Sequence, residues 1–389
     1  MNLPEIQAAL REGGHQCWLF YDHHHRDPIA YRVLGLPESM MVTRRWFYVI
    51  PAQGEPVKLV HRIESHHLDS LPGSKLEYSA WQELWQNLEA MLKPYRRVTM
   101  QYSPNNQIPY ISLVDAGMIE LVRSFGMGKE IVSSANLVAR FEATLTEAQI
   151  ASHFKAGEAI DKITAGFFQE VGHRARNGGT HEFEMQQWIM EAFGRERLET
   201  CDPPNVSVNA HSGDPHYDPT SATSAPIKLG DFVLLDIWAK RAEPGSVYYD
   251  ITWTGAIGTP SDQQREVFEI VRGARDTGIN TVKQAFAANK KIHGWEVDSA
   301  VREFIDSKGW GKYFIHRTGH SITSDIHGNG ANLDNLETKD DREILPNTCF
   351  SVEPGIYLPE FGVRSEINMM VRNGKAEVTG RVQNELVLI

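Results

Sequence analysis

Apolar residues in the first third of the chain fall into two rhythms. The runs CWLFY (17–21), WFYVIP (46–51), PVKLVH (56–61) and RVTMQY (97–102) are short, rich in β-branched and aromatic residues, and bounded by polar, Gly or Pro positions, so they predict strands. WQELWQNLEAMLK (81–93) places its apolar residues at helical spacing, and the opening MNLPEIQAALREGG predicts a short amphipathic helix. This segment predicts a compact α/β domain. The pattern then changes. LTEAQIASHFKAGEAIDKITAGFFQEV (145–171) predicts a long helix with Thr146 as its N-cap, and further helices are expected from near Thr180, over 261–288 and over 294–309. Strand-like text gathers at 204–210, 231–257 and 347–389. Helices mixed with hairpins point to an α+β fold and not to a doubly wound parallel sheet. The change of pattern places a domain boundary near 135, giving domains 1–135 and 136–389.

Four acidic residues interrupt the apolar strands of the second domain. Asp236 lies in FVLLDIWAK and Asp250 in VYYDITWTG, joined by KRAEPGS, whose Pro244-Gly245 marks a turn. A symmetric hairpin centred on Glu243 would set the two acids face to face. Glu353 in CFSVEPGIY and Glu366 in VRSEINMMV repeat the plan around a turn at 359–360. Directly opposed residues on antiparallel strands hold their Cβ atoms roughly 4.5–5.5 Å apart. By the two-residue strand period Thr252 shares the face of Asp250, and Arg364 and Asn368 share that of Glu366. Carboxylates on largely apolar strands are costly unless something positive compensates them, and a metal cluster is the simplest compensation.

Composition narrows the class. With 389 residues, 41% hydrophobic and 23% charged, the chain can build two or three ordinary cores. The net charge of −11 argues against a nucleic-acid partner. No apolar run nears the ~18 residues of a membrane span, and the N-terminus lacks the basic start and apolar centre of a signal peptide. Three scattered cysteines fit a reducing compartment, with the cytoplasm as the expected location.

One histidine completes the set. His320, in HRTGHSITSDIHGNG, lies between the two acidic hairpins and follows Gly319. Four carboxylates and an imidazole form an oxygen-rich donor set that suits manganese, with cobalt, zinc or iron also accommodated. Two such ions sharing carboxylates would hold and activate a water. A second histidine feature, His23-His24-His25 in YDHHHRDP, reads as a polar loop closing the first strand, with metal binding as the alternative.

The ordered phrases LLDIW with YYDITWTGAIG, HRTGH, SVEPGIY and GVRSEI resemble the pita-bread metallopeptidases: methionine aminopeptidase, aminopeptidase P, prolidase and their non-peptidase relatives. The resemblance covers about 140–389, and the upstream α/β domain is similar to that of the prolidase, aminopeptidase P and creatinase branch. It implies a pita-bread catalytic domain with two divalent metal ions. Asp236 and His320 would each serve one ion, Asp250 and Glu366 would bridge, and Glu353 would complete a shell and shuttle the proton. It also implies that His216, in HSGDPHYDPT, lies beside the substrate's amine or scissile amide. His327 would contact the attacked carbonyl oxygen, and His316 would line the pocket of proline-specific members. Arg364 would be the candidate for the free carboxylate of a dipeptide. The implied activity is that of an Xaa-Pro dipeptidase on a small proline-containing peptide, the enzyme being a homodimer. The alternatives are an aminopeptidase on longer peptides, a hydrolase or lyase of a small molecule, and a metal-free peptide-binding module. The chain departs from the family pattern at Trp253, where arginine is usual, at Thr323, where glycine is usual, and at Gly328, where an acid is usual. The Asp236–Asp250 interval is also longer than usual. These departures bear on the pocket and leave every candidate ligand in place.

Overall fold

The computed structural model describes residues 1–126 and 128–389, which divide into two compact units, Met1–Glu142 and Ala143–Ile389. Among the described residues no helix is long and apolar enough to cross a membrane.

The first unit runs α1 (Leu3–Glu12), β1 (Cys17–Asp22), α2 (Pro28–Leu34), β2 (Trp46–Pro51), β3 (Val57–His61), β4 (Ser74–Tyr78), α3 (Trp81–Leu92), β5 (Arg97–Met100), α4 (Ala116–Ser124), β6 (Glu130–Ser133) and α5 (Ala135–Ala143). One mixed sheet is ordered β4-β3-β2-β1-β5-β6. β1 is buried on both faces: Trp18 and Phe20 enter one core, and Cys17, Leu19 and Tyr21 enter the other. That is why its text is continuously apolar. β4 escapes the periodicity because it is a largely exposed, polar strand at the sheet edge. Ala135, Leu137 and Val138 of α5 join the first core. The first unit therefore runs past 135, as far as Glu142.

The histidine tract forms the loop after β1. The buried Asp22 carboxylate accepts hydrogen bonds from the backbone N–H of His25, Arg26 and Asp27, and from Tyr31 Oη. His24 and His25 adopt left-handed φ values of 61° and 56°.

The second unit continues with α6 (Glu147–Arg176), β7 (Thr180–His181), α7 (Glu182–Glu196), β8 (Leu198–Glu199), β9 (Asn205–Val208), β10 (Pro226–Ile227), β11 (Phe232–Arg241), β12 (Tyr249–Ala256), α8 (Asp262–Ala287), α9 (Gly294–Ser307), β13 (Ser321–Ile322), β14 (Cys349–Val352), β15 (Gly355–Tyr357), β16 (Gly362–Arg364), β17 (Ile367–Arg372), β18 (Lys375–Val378) and β19 (Val387–Leu388). Thr146 caps α6 through a reciprocal pair with Gln149. One sheet runs β19-β12-β11-β8 with β9 also on β11, and a second runs β13-β14-β17-β18. α6 and α7 pack on the first sheet through Ile160, Phe167, Ile189 and Phe193. α8 and α9 cover the second sheet and the β15–β16 hairpin. The helices and hairpins give the expected α+β class, and the remaining faces of β11, β12 and the β14–β17 segment carry the acidic residues.

Candidate active site

The two acidic hairpins differ in register. On β11 and β12, Asp236 faces Thr252 and Trp238 faces Asp250, so the two aspartates are diagonal neighbours and not directly opposed. The expected register is corrected by two residues. Because the shift is even, both acids stay on one face. Its cause lies in the connection: Val247 N–H donates to Ser152 Oγ and Tyr248 N–H to the Thr323 carbonyl, so these residues leave the hairpin. The second hairpin keeps the expected register on both sides of a gap, with Ser351 opposite Asn368 and Gly355 opposite Arg364. Glu353 and Glu366 sit in that gap. Their N–H groups donate to the carbonyls of Thr318 and Thr252, which tie them to the histidine segment and to β12.

The side chains converge. Asp250, His320 and Glu366 place possible ligand atoms within 4.8 Å of one another, the only such group among the described residues. His320 Nε2 lies 3.5 Å from Asp250 Oδ2 and 3.4 Å from Glu353 Oε1. Thr252 Oγ1 lies 3.0 Å from Asp236 Oδ1 and 2.8 Å from Glu366 Oε2, linking those carboxylates. Ser351 Oγ accepts the His320 N–H and donates to Glu353 Oε1.

These charges are short of compensation. Burial pushes Asp236 up to about 6 and Asp250 to about 7, and it raises Glu353 and Glu366 as well, with the acids reinforcing one another. Asp250 Oδ1 and Glu366 Oε1 are buried without a hydrogen-bond partner. His320 Nδ1 faces the Ser321 carbonyl at 3.3 Å, which leaves the Nε2 lone pair aimed at two carboxylate oxygens. Burial disfavours its protonated form. Orphaned buried carboxylate oxygens converging with an imidazole lone pair fit a site for divalent cations.

The other expected residues divide. His327 packs edge-on against His320, ring centroids 4.4 Å apart. Lost hydration and the neighbouring His320, Arg317 and His216 hold it down at about 3, so it is a neutral imidazole. His216 is exposed, on the loop between β9 and β10, and acts electrostatically on His327. Both nitrogens of His316 are engaged, Nδ1 with the Arg317 carbonyl at 2.7 Å and Nε2 with Tyr357 Oη at 2.7 Å. Arg364 is 4% exposed, pairs with Asp236, and also donates to Thr252 Oγ1 at 2.9 Å and Tyr357 Oη at 3.1 Å. Its guanidinium is committed to an acid of the site, so the expectation that it meets a substrate carboxylate does not follow from this arrangement.

Three departures from the family pattern acquire a physical meaning. Trp253 faces Leu235 on the side of the sheet opposite Asp250 and Thr252, packed against the core beneath α6 and α7. Thr323 and Gly328 are complementary: a Cβ at 328 would lie 2.7 Å from Thr323 Cγ2. Tyr357, which joins His316 to Arg364, and Ser351 were not singled out in the sequence. Their only local signal is position within CFSVEPGIY beside Glu353.

The model of metallopeptidase family M24 matches residues 153–373, more than half of the chain. The Xaa-Pro dipeptidase of Lactobacillus helveticus is 33% identical over 225 residues, 55% of this chain and 56% of that protein, so little more than half of the relative is matched. Among solved structures, dipeptidase PepE from Mycobacterium ulcerans is 23% identical with a TM-score of 0.70, covering 100% of this chain and 96% of that one. The prolidase of Thermococcus sibiricus is 22% identical with a TM-score of 0.62, covering 100% and 98%. These two likenesses are of fold, the pita-bread fold with an N-terminal α/β domain. The matched family, the shared fold and the convergent carboxylates agree: the chain belongs to metallopeptidase family M24.

Proposed function

We propose that the protein hydrolyses the peptide bond preceding proline in Xaa-Pro dipeptides, with the second unit as the catalytic one and two divalent cations, manganese first, as cofactors. The observation that carries this is the buried group of Asp250, His320 and Glu366, flanked by Asp236 and Glu353, with two carboxylate oxygens left unpartnered. The Xaa-Pro specificity is drawn from relatives that carry that name.

In this reading Asp236, Asp250, His320, Glu353 and Glu366 would together hold the two ions. The cations, when bound, polarise the scissile carbonyl and bring the pKa of a water toward neutrality. Glu353, held by Ser351 Oγ at 3.0 Å, takes the proton from the attacking water and returns it to the proline nitrogen as that nitrogen leaves. Neutral His327 offers a ring N–H to the oxyanion that develops on the carbonyl. His216 would meet the substrate from its exposed loop. Arg364 holds Asp236 in place, and through Tyr357 it fixes His316 as a ring wall of the proline pocket. A homodimer in the cytoplasm, with three free cysteines, belongs to the same reading.

The test is a manganese-loaded screen of Xaa-Pro dipeptides, Xaa-Pro-Yaa tripeptides and dipeptides lacking proline, with metal content measured on protein purified without chelator. Cleavage of the first group is expected. Preference for tripeptides would replace the assignment with an aminopeptidase, and cleavage of no proline peptide would overturn it.

A further inference from the structure

Three carboxylates outside the candidate ligand set, Glu182, Asp298 and Asp340, are fully buried in the second unit. Each gathers hydrogen bonds from a segment that carries a pocket histidine. Glu182, the first residue of α7, accepts from Val208 N at 2.8 Å, His211 Nδ1 at 3.0 Å, Tyr217 Oη at 2.7 Å and Ala225 N at 2.7 Å. All four donors belong to the 208–225 segment, and His216 lies next to one of them. One turn along α7, Gln186 Nε2 adds a bond to Asp218 Oδ1 at 3.1 Å. The far side of the loop rests on the β15–β16 hairpin, where Gly362 N–H donates to Ser212 Oγ at 2.9 Å.

Asp298, on α9, does the same for the segment before His320. Its Oδ1 accepts from Thr318 N at 2.9 Å and Thr318 Oγ1 at 2.6 Å, and its Oδ2 from Asn335 N at 2.8 Å and Arg302 Nε at 2.7 Å. Arg302, four residues along the helix, donates in turn to the carbonyls of Phe314 and His316. The pair thus grips alternate residues 314, 316 and 318. Asp340 accepts from Asn332 N at 2.9 Å and Arg342 Nε at 2.9 Å. Arg342 Nη1 reaches the Asn329 carbonyl at 3.0 Å, and Asn332 Oδ1 accepts the Ser321 N–H at 3.0 Å. This network closes the loop that begins at His327. Asp334 is equally buried, but its carboxylate accepts from its own turn, Leu336–Thr338.

A buried carboxylate whose acceptor sites are filled by backbone donors holds those donors in one arrangement, because releasing any of them strands a buried polar group. We infer that Glu182, Asp298 and Asp340 are positioning residues, setting His216, the His316–His320 segment and the His327 loop respectively. The inference rests on the proposed reading for the roles of the histidines, and on the hydrogen-bond geometry alone for the anchoring.

The experiment compares Glu182→Gln, Asp298→Asn and Asp340→Asn with the wild-type chain. An amide keeps the shape of the acid but turns N–H hydrogens toward N–H donors. Hydrogen exchange, manganese affinity, and kcat and KM on the dipeptide cleaved best are measured for each. For Glu182→Gln, exchange should rise about 10-fold or more, the loss expected when one or two buried hydrogen bonds go, and only over 208–225. KM should rise by a similar factor, with manganese affinity unchanged. For Asp298→Asn, exchange should rise over 314–335 and manganese affinity should fall, since His320 follows. For Asp340→Asn, exchange should rise over 329–332 and kcat should fall more than KM rises. Where an amide variant does not fold, Tyr217→Phe, which removes the bonds to Glu182 and the Thr223 carbonyl, and Thr318→Val, which removes the hydroxyl bond to Asp298, should give the same local pattern at smaller size. Uniform acceleration of exchange across the second unit in every variant, or local loosening with unchanged kinetics and metal affinity, would overturn the inference. If the wild-type chain cleaves no proline peptide the functional reading falls, while exchange and metal affinity still decide whether these acids position the histidine segments.

Discussion

Gly328→Ala isolates the pair of departures beside His327. The backbone at 328 lies outside the left-handed region, so alanine meets no φ penalty there and the whole effect is steric. The added Cβ would stand 2.7 Å from Thr323 Cγ2, 2.9 Å from Thr323 Oγ1 and 3.0 Å from Ser321 Oγ, where carbon atoms prefer about 3.5–4.0 Å. Thr323 cannot turn away easily. It is β-branched, its Oγ1 accepts the Asp325 N–H at 3.1 Å, and its carbonyl accepts the Tyr248 N–H at 3.0 Å. The expected destabilisation is about 1–3 kcal/mol, the range for overpacking. Thr323→Gly alone should cost about 1–2 kcal/mol, through the lost hydroxyl bond and added backbone freedom. In the double variant both contacts with Thr323 disappear and only that with Ser321 Oγ stays, so the two effects should fall short of their sum by about 1 kcal/mol, beyond the ~0.5 kcal/mol scatter of independent sites. Urea unfolding of the four manganese-saturated proteins measures this. The hydrolysis rate should follow, falling in Gly328→Ala and recovering in the double variant, because residue 328 directly follows His327. Additive destabilisation, or a rate that ignores the rescue, would refute the steric account and return both departures to the status of unrelated changes.

Asp250→Asn should abolish hydrolysis and lower manganese content while leaving the metal-free fold at least as stable as wild type, since one of the mutually repelling carboxylates is gone; metal analysis and chelated melting curves check this. Arg364→Lys should cut kcat/KM by about 10–100-fold, because one ammonium cannot hold Asp236, Thr252 and Tyr357 together; steady-state kinetics on the preferred dipeptide would show it, and wild-type rates would disprove the commitment of this side chain. His153 is fully buried and neutral, with Nδ1 on the Tyr248 carbonyl at 2.6 Å and Nε2 on Thr379 Oγ1 at 2.8 Å. Burial lowers it from 6.5 to about 4, so the unfolded chain binds the extra proton between those values. Its contribution is complete above pH 6.5 and is lost as pH falls toward 4, on the order of 2–3 kcal/mol of it by pH 4.5. His153→Gln, which keeps a donor and an acceptor, should remove that part of the pH dependence, and equal stability slopes for the two proteins between pH 7.5 and 4.5 would contradict it.

The sequence alone located most of the longer elements and assembled the candidate ligand set. Strands buried on both faces, such as Trp46–Pro51, announce themselves as continuous apolar text, and the long helix capped by Thr146 announces itself by period and cap. The five candidate ligands were legible because an acid inside an apolar strand contradicts its surroundings. Tertiary structure decided what no local rhythm encodes. The β11–β12 register moved by two residues because Val247 and Tyr248 bond to α6 and to the Thr323 loop, partners distant in sequence. Arg364, expected at a substrate carboxylate, is the partner of Asp236, and Trp253, expected to bear on the pocket, faces the core, both through neighbours contributed by other strands. Glu182, Asp298 and Asp340 carry no motif, since an acid on an amphipathic helix or in a polar loop looks solvated until the fold closes over it. Periodicity and residue type report what one segment needs; which distant donor satisfies that need is settled only when the segments pack.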